Sequence, residues 1–354
     1  MTGCTERVVK SIGPLDESAM RAVRERQYWL TKPRGSLGRL EELSVQIAGI
    51  TGRPLPVLDR KVVVVMAADH GVVVEGVSLY PQAVTRQMVL NFLRGGAGIN
   101  VLARLAGARV VVVDMGVVGG FPPTTGLVCR MIDFGTKNMA RGPAMTRDQA
   151  VSSIEAGIEV VEGEIARGMD IVATGDMGIG NTTASAAICA VFSGEPVSAV
   201  AGRGTGLDDV QLRHKVEVIE RALQVNRPDR HDPLDVLAKV GGFEIGGLAG
   251  GILGAASRRI PVVIDGFVSG AAAMVAVGLC PRVKEYLIAG HVSAEAGHAV
   301  MLRYLGLRPL LDLGMRLGEG TGAALAMLLA EAAVKTLSEM ATFGEAGVSD
   351  VEKA

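Results

Sequence analysis

The sequence predicts an α/β fold: a Rossmann-like parallel sheet flanked by helices, with a small helical domain made from the chain ends. Three observations carry this. Short β-branched apolar runs recur, helix-length segments alternate with them, and each run ends at polar or glycine residues. A run that is apolar at every position reads as a strand buried on both faces, hence a parallel sheet under helices. Strand–loop–helix alternation then argues for the doubly wound class.

The segment before Arg60 is charged and helical, with no strand run. Lys61–Ala67 is the first run and leads into Asp69 and His70; a helix is expected over Ala83–Leu105. Arg109–Val113 leads into Asp114, and Arg147–Ala166 has helical character. Asp170–Ala173 leads into Thr174, Gly175 and Asp176, before an alanine-rich helix from Ala184. Val197–Ala201 reads as a further strand, followed by Gly202-Arg203-Gly204 and a helix over Asp208–Gln224. Phe243–Ser257 is helical. Ile260–Ile264 leads into Asp265-Gly266 and a helix over Val268–Gly278, and Tyr286–Ala289 leads into Gly290-His291 and a helix over Ser293–Leu305. Glu319–Thr342 is a long Ala/Leu helix. Residues 61–309 are thus expected to form the Rossmann-like domain, and 1–60 with 310–354 the helical one. Ligands of such sheets bind beyond the carboxyl ends of the strands, where these polar and glycine residues fall.

The 354 residues suffice for a sizeable core without staples. A net charge of −1, from 36 basic and 37 acidic residues, gives no footprint for nucleic acid. Four scattered cysteines with no CxxC pair indicate neither a disulfide framework nor a zinc site, which fits a reducing cytoplasmic setting. The first 30 residues carry charges throughout, unlike a signal peptide. Mean hydropathy is +0.34, yet the apolar runs Ala323–Ala330 and Ile245–Ala256 fall short of the ~20 residues of a spanning helix, so no membrane span is expected.

Four loops have the residue types for chemistry. Gly175–Thr183 follows a strand and precedes a helix, so its backbone N–H groups suit an anion; the alternative is a tight turn with Asn181 or Thr182 as N-cap. Gly202–Asp209, with Arg213 and Lys215 beyond it, suits a phosphate or is a capped helix start with solvated cations. Neither is a dinucleotide or P-loop pattern, which argues against a dehydrogenase. Asp312–Gly322 sets Glu319 among glycines, accessible as a general base or favouring a helix dipole as a first-turn carboxylate. Asp69-His70-Gly71 runs on to Glu75–Pro81; with no HExxH or compact His/Asp cluster, this His and His291 and His298 read as structural, and no metal or cofactor is expected.

Taken in order, Lys32–Glu42, Ala68–Gly71, Glu75–Pro81, Val84–Met88, Asn91–Gly96, Gly178–Thr183, Gly202–Asp209, Gly290-His291 and Leu317–Gly320 resemble the nicotinate-nucleotide–dimethylbenzimidazole phosphoribosyltransferases. The resemblance runs from about residue 30 to 342. It implies transfer of phosphoribose from nicotinate mononucleotide to 5,6-dimethylbenzimidazole, giving α-ribazole 5′-phosphate and nicotinate for cobalamin biosynthesis. It also implies a homodimer. Residue by residue, Glu319 falls on the general base. Ser78, Tyr80, Gln87, Met315 and Leu317 fall on or near the base pocket. Asp176, Gly178, Gly204, Lys215, Gly266 and Ser293 fall around phosphate and ribose. Asp176 stands where a glutamate is expected in many relatives, which shortens its reach. A nucleotide-binding protein without turnover is the non-enzyme alternative.

Overall fold

The computed structural model describes residues 3–349; the outermost residues of the two end segments, 1–2 and 350–354, lie outside it. In chain order the elements are helices α1 (Gly3–Ser11), α2 (Glu17–Trp29) and α3 (Arg39–Thr51), strand β1 (Lys61–Ala68), α4 (Ala83–Arg94), α5 (Gly98–Ala106), β2 (Ala108–Gly116) and β3 (Leu127–Cys129). Then come α6 (Arg147–Ala166), β4 (Ile171–Met177), α7 (Asn181–Ser193), α8 (Val197–Val200), α9 (Asp209–Asn226), α10 (Pro233–Val240) and α11 (Phe243–Ser257). The last are β5 (Val262–Ile264), α12 (Phe267–Leu279), β6 (Leu287–Ala289), α13 (Ala296–Leu305), α14 (Thr321–Glu339) and α15 (Phe343–Ala346).

The six strands form one parallel sheet in the order β3-β2-β1-β4-β5-β6. The chain leaves β1 toward one edge and returns on its other side at β4, so the topological switch lies between these strands. Every residue of β1 is buried, and its side chains alternate between two cores. Val62, Val64 and Met66 pack with Ile154, Ile158 and Leu248 of α6 and α11; Val63, Val65 and Ala67 pack with Leu43, Phe92, Ile99 and Met327 of α3, α4, α5 and α14. Helices therefore cover both faces, as the unbroken valine run requires. Helices α6 and α11 approach backbone to backbone: a Cβ on Gly157 would stand 1.8 Å from the Gly247 carbonyl oxygen.

The chain ends meet. The Arg26 Nε donates to the Leu337 carbonyl at 2.7 Å, and Leu30 pairs with Thr342 in an antiparallel bridge.

Several expectations are corrected. Val197–Ala201 is not a strand but the one-turn helix α8, begun by Pro196 as N-cap. Its Val-Ser-Ala-Val-Ala run is short and poor in β-branched residues, and propensity alone does not create a sheet position. The missing strand is β3, a three-residue edge. The helix expected over Ala83–Leu105 is two, α4 and α5, because Gly95 caps α4 in the left-handed region at φ 79°. Strand β4 extends through Gly175 and Asp176. Helix α14, counted by uninterrupted apolar runs as too short, has 19 residues at mean hydropathy 1.2, long and apolar enough to cross a membrane by length and composition. Its buried residues pack against the sheet, and 56% of that stretch is buried within the protein.

Candidate active site

Four strand ends converge on one edge. Asp69 and His70 follow β1, Asp176 lies near the end of β4, Asp265 and Gly266 follow β5, and Gly290 and His291 follow β6. Above them opens a cavity of about 720 Å³ lined by Ser78, Tyr80, Val84, Met88, Asp176, Gly178, Asn181, Thr182, Gly204, Thr205, Gly266, His291, Ser293, Glu295, Arg316, Leu317 and Glu319, among others. Its size suits a small-molecule site, and its position is the one a doubly wound sheet reserves for ligands. A hollow of about 650 Å³ lies away from the strand ends, between the N-terminal helices around Met20, Tyr28 and Val45.

Glu319 is 6% exposed and adopts φ 63°, a left-handed conformation that only two other non-glycine residues among those described share. Its Oε2 accepts the Ile99 N–H at 3.0 Å. Ile99 lies in the first turn of α5, so this carboxylate serves the N-terminus of a helix other than the one it precedes. Gly175 allows the arrangement, since a Cβ there would stand 2.4 Å from the Glu319 carbonyl oxygen. Burial pushes the Glu319 carboxyl above its ordinary 4.5, the Ile99 N–H opposes this, and the nearby Asp265 adds to it. Desolvation thus outweighs the helix terminus, a balance the sequence leaves open.

In the same lining, α7 begins at Gly180 with no side-chain cap. The two residues with capping chemistry are engaged elsewhere: Asn181 donates to Asp176 at 2.9 Å, and Thr182 Oγ1 accepts from Lys215 Nζ at 2.8 Å. The Asn181 and Thr183 N–H groups donate to the Gly178 and Gly180 carbonyls at 3.1 and 3.0 Å, and the positive end of the helix at the cavity wall favours an anion. Lys215 is fully buried, not solvated; it does not itself line the cavity, and it also donates to the Gly202 carbonyl at 3.2 Å. Burial lowers its pKa to about 8, opposed by Glu295. A Cβ on Gly204 would stand 3.3 Å from Lys215 Nζ, so the glycine loop passes directly over the amine. Asp208 does cap α9, accepting from Gln211 N at 2.8 Å.

Loop 76–81 forms the third wall. The Leu79 N–H donates to Thr205 Oγ1 at 3.2 Å, tying this loop to the glycine loop. Tyr80 and Leu317 present half-exposed apolar surface at the rim, 54% and 59% exposed. Gln87 does not line this cavity. Its neighbours Val84 and Met88 do, while Gln87 faces an adjoining hollow of about 290 Å³ with Asp69, Gln82 and Arg86. Met315 is also outside the lining, and its carbonyl accepts the Ala294 N–H at 2.9 Å.

The floor is acidic. Asp176 is buried, and burial together with Asp265, Glu244 and Glu319 raises its pKa well above 3.8. Asp265 is raised chiefly by burial, against His291 and the N–H groups it accepts. His70 Nε2 meets Glu244 Oε1 at 2.6 Å; burial opposes its charge but the carboxylate prevails and raises its pKa. His298 Nδ1 accepts the Ser293 N–H at 2.8 Å, and burial with His291 lowers its pKa to about 3, so it is a neutral structural ring that fixes Ser293.

Glu295 and Arg316 line the cavity without being marked out in the sequence, and Asp265, expected at a strand end beside the site, caps a helix instead of lining the cavity. Arg316 sits inside the Glu319 loop and donates to the Gly204 carbonyl at 3.0 Å. Its only signal in the sequence was a lone cation between two apolar residues of a glycine-rich segment.

A phosphoribosyltransferase family model matches residues 12–348. The nicotinate-nucleotide–dimethylbenzimidazole phosphoribosyltransferase of Desulforudis audaxviator is 66% identical over 98% of each chain. That of Chloroflexus aggregans is 60% identical over 98% of this chain and 99% of its own. The crystal structure of CobT from Thermus thermophilus superposes with a TM-score of 0.91 at 51% identity, covering 94% of this chain and 99% of that one.

Proposed function

We propose a mechanism for this chain, which belongs to the nicotinate-nucleotide–dimethylbenzimidazole phosphoribosyltransferase family. The enzyme transfers phosphoribose from nicotinate mononucleotide to 5,6-dimethylbenzimidazole, releasing nicotinate. The observation that carries the mechanism is one buried carboxylate of raised basicity, Glu319, which lines a single cavity together with the start of α7 and the Gly204 loop, Lys215 being buried against Thr182 of that helix.

The donor's phosphate is assigned to the α7 start and the Gly204 loop, where N–H groups and Lys215 supply donors and charge. Gly178, Gly266 and Ser293 are assigned to the ribose and phosphate. Asp176 is assigned to the ribose, its carboxyl raised well above the ordinary carboxylate range by burial. Ser78, Tyr80 and Leu317 are assigned to the flat acceptor base. The donor's ring is a quaternary pyridinium; as the C1′–N bond breaks, its nitrogen takes the bonding pair and nicotinate leaves with a neutral pyridine ring, which needs no strong acid. The unprotonated ring nitrogen of the base attacks C1′ from the opposite face, inverting β to α. As that bond forms, the other ring N–H becomes acidic, and Glu319 takes its proton. Holding both substrates in line between fixed walls supplies much of the acceleration.

Residues 1–60 with 310–354 are assigned to a small helical unit beside this catalytic body, which the Arg26–Leu337 and Leu30–Thr342 contacts support. A homodimer is part of the same reading.

The test is chromatography with mass spectrometry of purified protein given both substrates. Stoichiometric nicotinate and α-ribazole 5′-phosphate are expected. Folded protein that binds nicotinate mononucleotide without releasing nicotinate would overturn the reading in favour of a binding protein.

A further inference from the structure

The left-handed turn at Glu319 is unfavourable for a residue with a Cβ and persists only if its surroundings fix it. The helix it enters, α14, supplies no cap of its own: its N-cap is Gly320, which has no side chain to accept a bond. The cap comes from another strand. Asp265, fully buried at the end of β5, accepts the Gly320 N–H on Oδ2 at 3.2 Å and the Ala323 N–H on Oδ1 at 2.9 Å. Its own N–H donates to Thr174 Oγ1 at 3.3 Å, which anchors it to β4. The His291 ring lies beside it, with Nε2 3.6 Å from Oδ1. The same imidazole fills the space a Cβ on Gly322 would need, 2.1 Å from its Cδ2. The turn is thus gripped on both sides of Gly320, immediately after the carboxylate that takes the proton.

We propose that Asp265 is the positioning residue of the reaction: as a cap donated by β5 to α14, it holds the turn that aims Glu319 into the cavity. Asp265 touches neither substrate in this account and acts only through Glu319. The proposal therefore rests on Glu319 being the base. Replacing Asp265 with asparagine keeps its shape but halves its acceptor capacity and offers an N–H₂ to one backbone N–H. Misplacing a base by about 1 Å costs on the order of 10²-fold in turnover.

The experiment is a double-mutant cycle in steady-state kinetics: wild type, Asp265→Asn, Glu319→Gln and the double variant, each with both substrates. Asp265→Asn is expected to lower kcat by about 10²-fold with both KM values near wild type. In the Glu319→Gln background the same change is expected to cost nothing further, because the group it positions is gone. An equal loss in both backgrounds, or an unchanged kcat, overturns the proposal. If Glu319→Gln alone retains turnover, the base assignment fails, which is read from that single variant before Asp265 is considered. Asp265→Ser, which retains one acceptor in a smaller neutral side chain, is the second variant should the asparagine protein not fold. The same kinetic pattern is expected of it, and normal turnover would overturn the proposal equally.

Discussion

Lys215→Met removes a fully buried charge whose bonded partners, Thr182 Oγ1 and the Gly202 carbonyl, are both neutral. Burial brings its pKa from 10.5 down to about 8, which at ~1.36 kcal/mol per unit is roughly 3 kcal/mol held against the charged form in the empty site. Because the folded value lies below the unfolded one, this penalty is fully present below about pH 8 and disappears as pH rises from there toward 10.5. Methionine relieves it at the loss of two hydrogen bonds of about 0.5–1.5 kcal/mol each. The unliganded variant should therefore melt at or above the wild-type temperature at pH 7. Its affinity for nicotinate mononucleotide should fall, since a charge-assisted bond of ~1.5–3 kcal/mol is lost, or roughly 10- to 150-fold in Kd. In the wild type, donor affinity should weaken as pH rises through about 8 and free Lys215 loses its proton. Titration calorimetry and thermal melting read both effects. A variant that binds the donor normally and melts lower would show that the lysine is structural.

Two further outcomes follow from the geometry. Glu319 must be ionised to accept a proton and its pKa is raised by burial, so kcat should fall as pH drops through a value above 4.5; a kcat at saturating substrates that stays flat down to pH 4.5 would contradict this. Gly157→Ala puts a methyl 1.8 Å from the Gly247 carbonyl oxygen between α6 and α11, where only backbone can yield. It should destabilise by about 1–3 kcal/mol or more in urea unfolding, and a change within ~0.5 kcal/mol would mean the two helices part easily.

The unbroken valine run of β1 is what made the parallel sheet legible, because only a strand covered on both faces tolerates it. The strand ends then located the site, and Asp176, Gly178, Gly204, Gly266, Ser293, Leu317 and Glu319 do line one cavity. What stayed hidden was long-range. Nothing local says that Lys215, which reads as a solvated helix residue, is buried against Thr182 some 33 positions earlier. Nor does a lone aspartate after β5 announce that it caps a helix 58 residues on. Val197–Ala201 failed for the opposite reason, a local pattern with no vacant sheet position to receive it. Gln87 was assigned through a family segment, while the turn of α4 faces it to a neighbouring hollow.

The assignment of Glu319 as the base is tested most directly by the kcat of Glu319→Gln with both substrates saturating. Glutamine is isosteric and its Oε1 still accepts the Ile99 N–H, so the variant should fold and bind nicotinate mononucleotide as the wild type does. Nicotinate release should slow by about 10²–10⁴-fold, the range for loss of a general base. A folded glutamine variant that turns over at the wild-type rate would contradict the account.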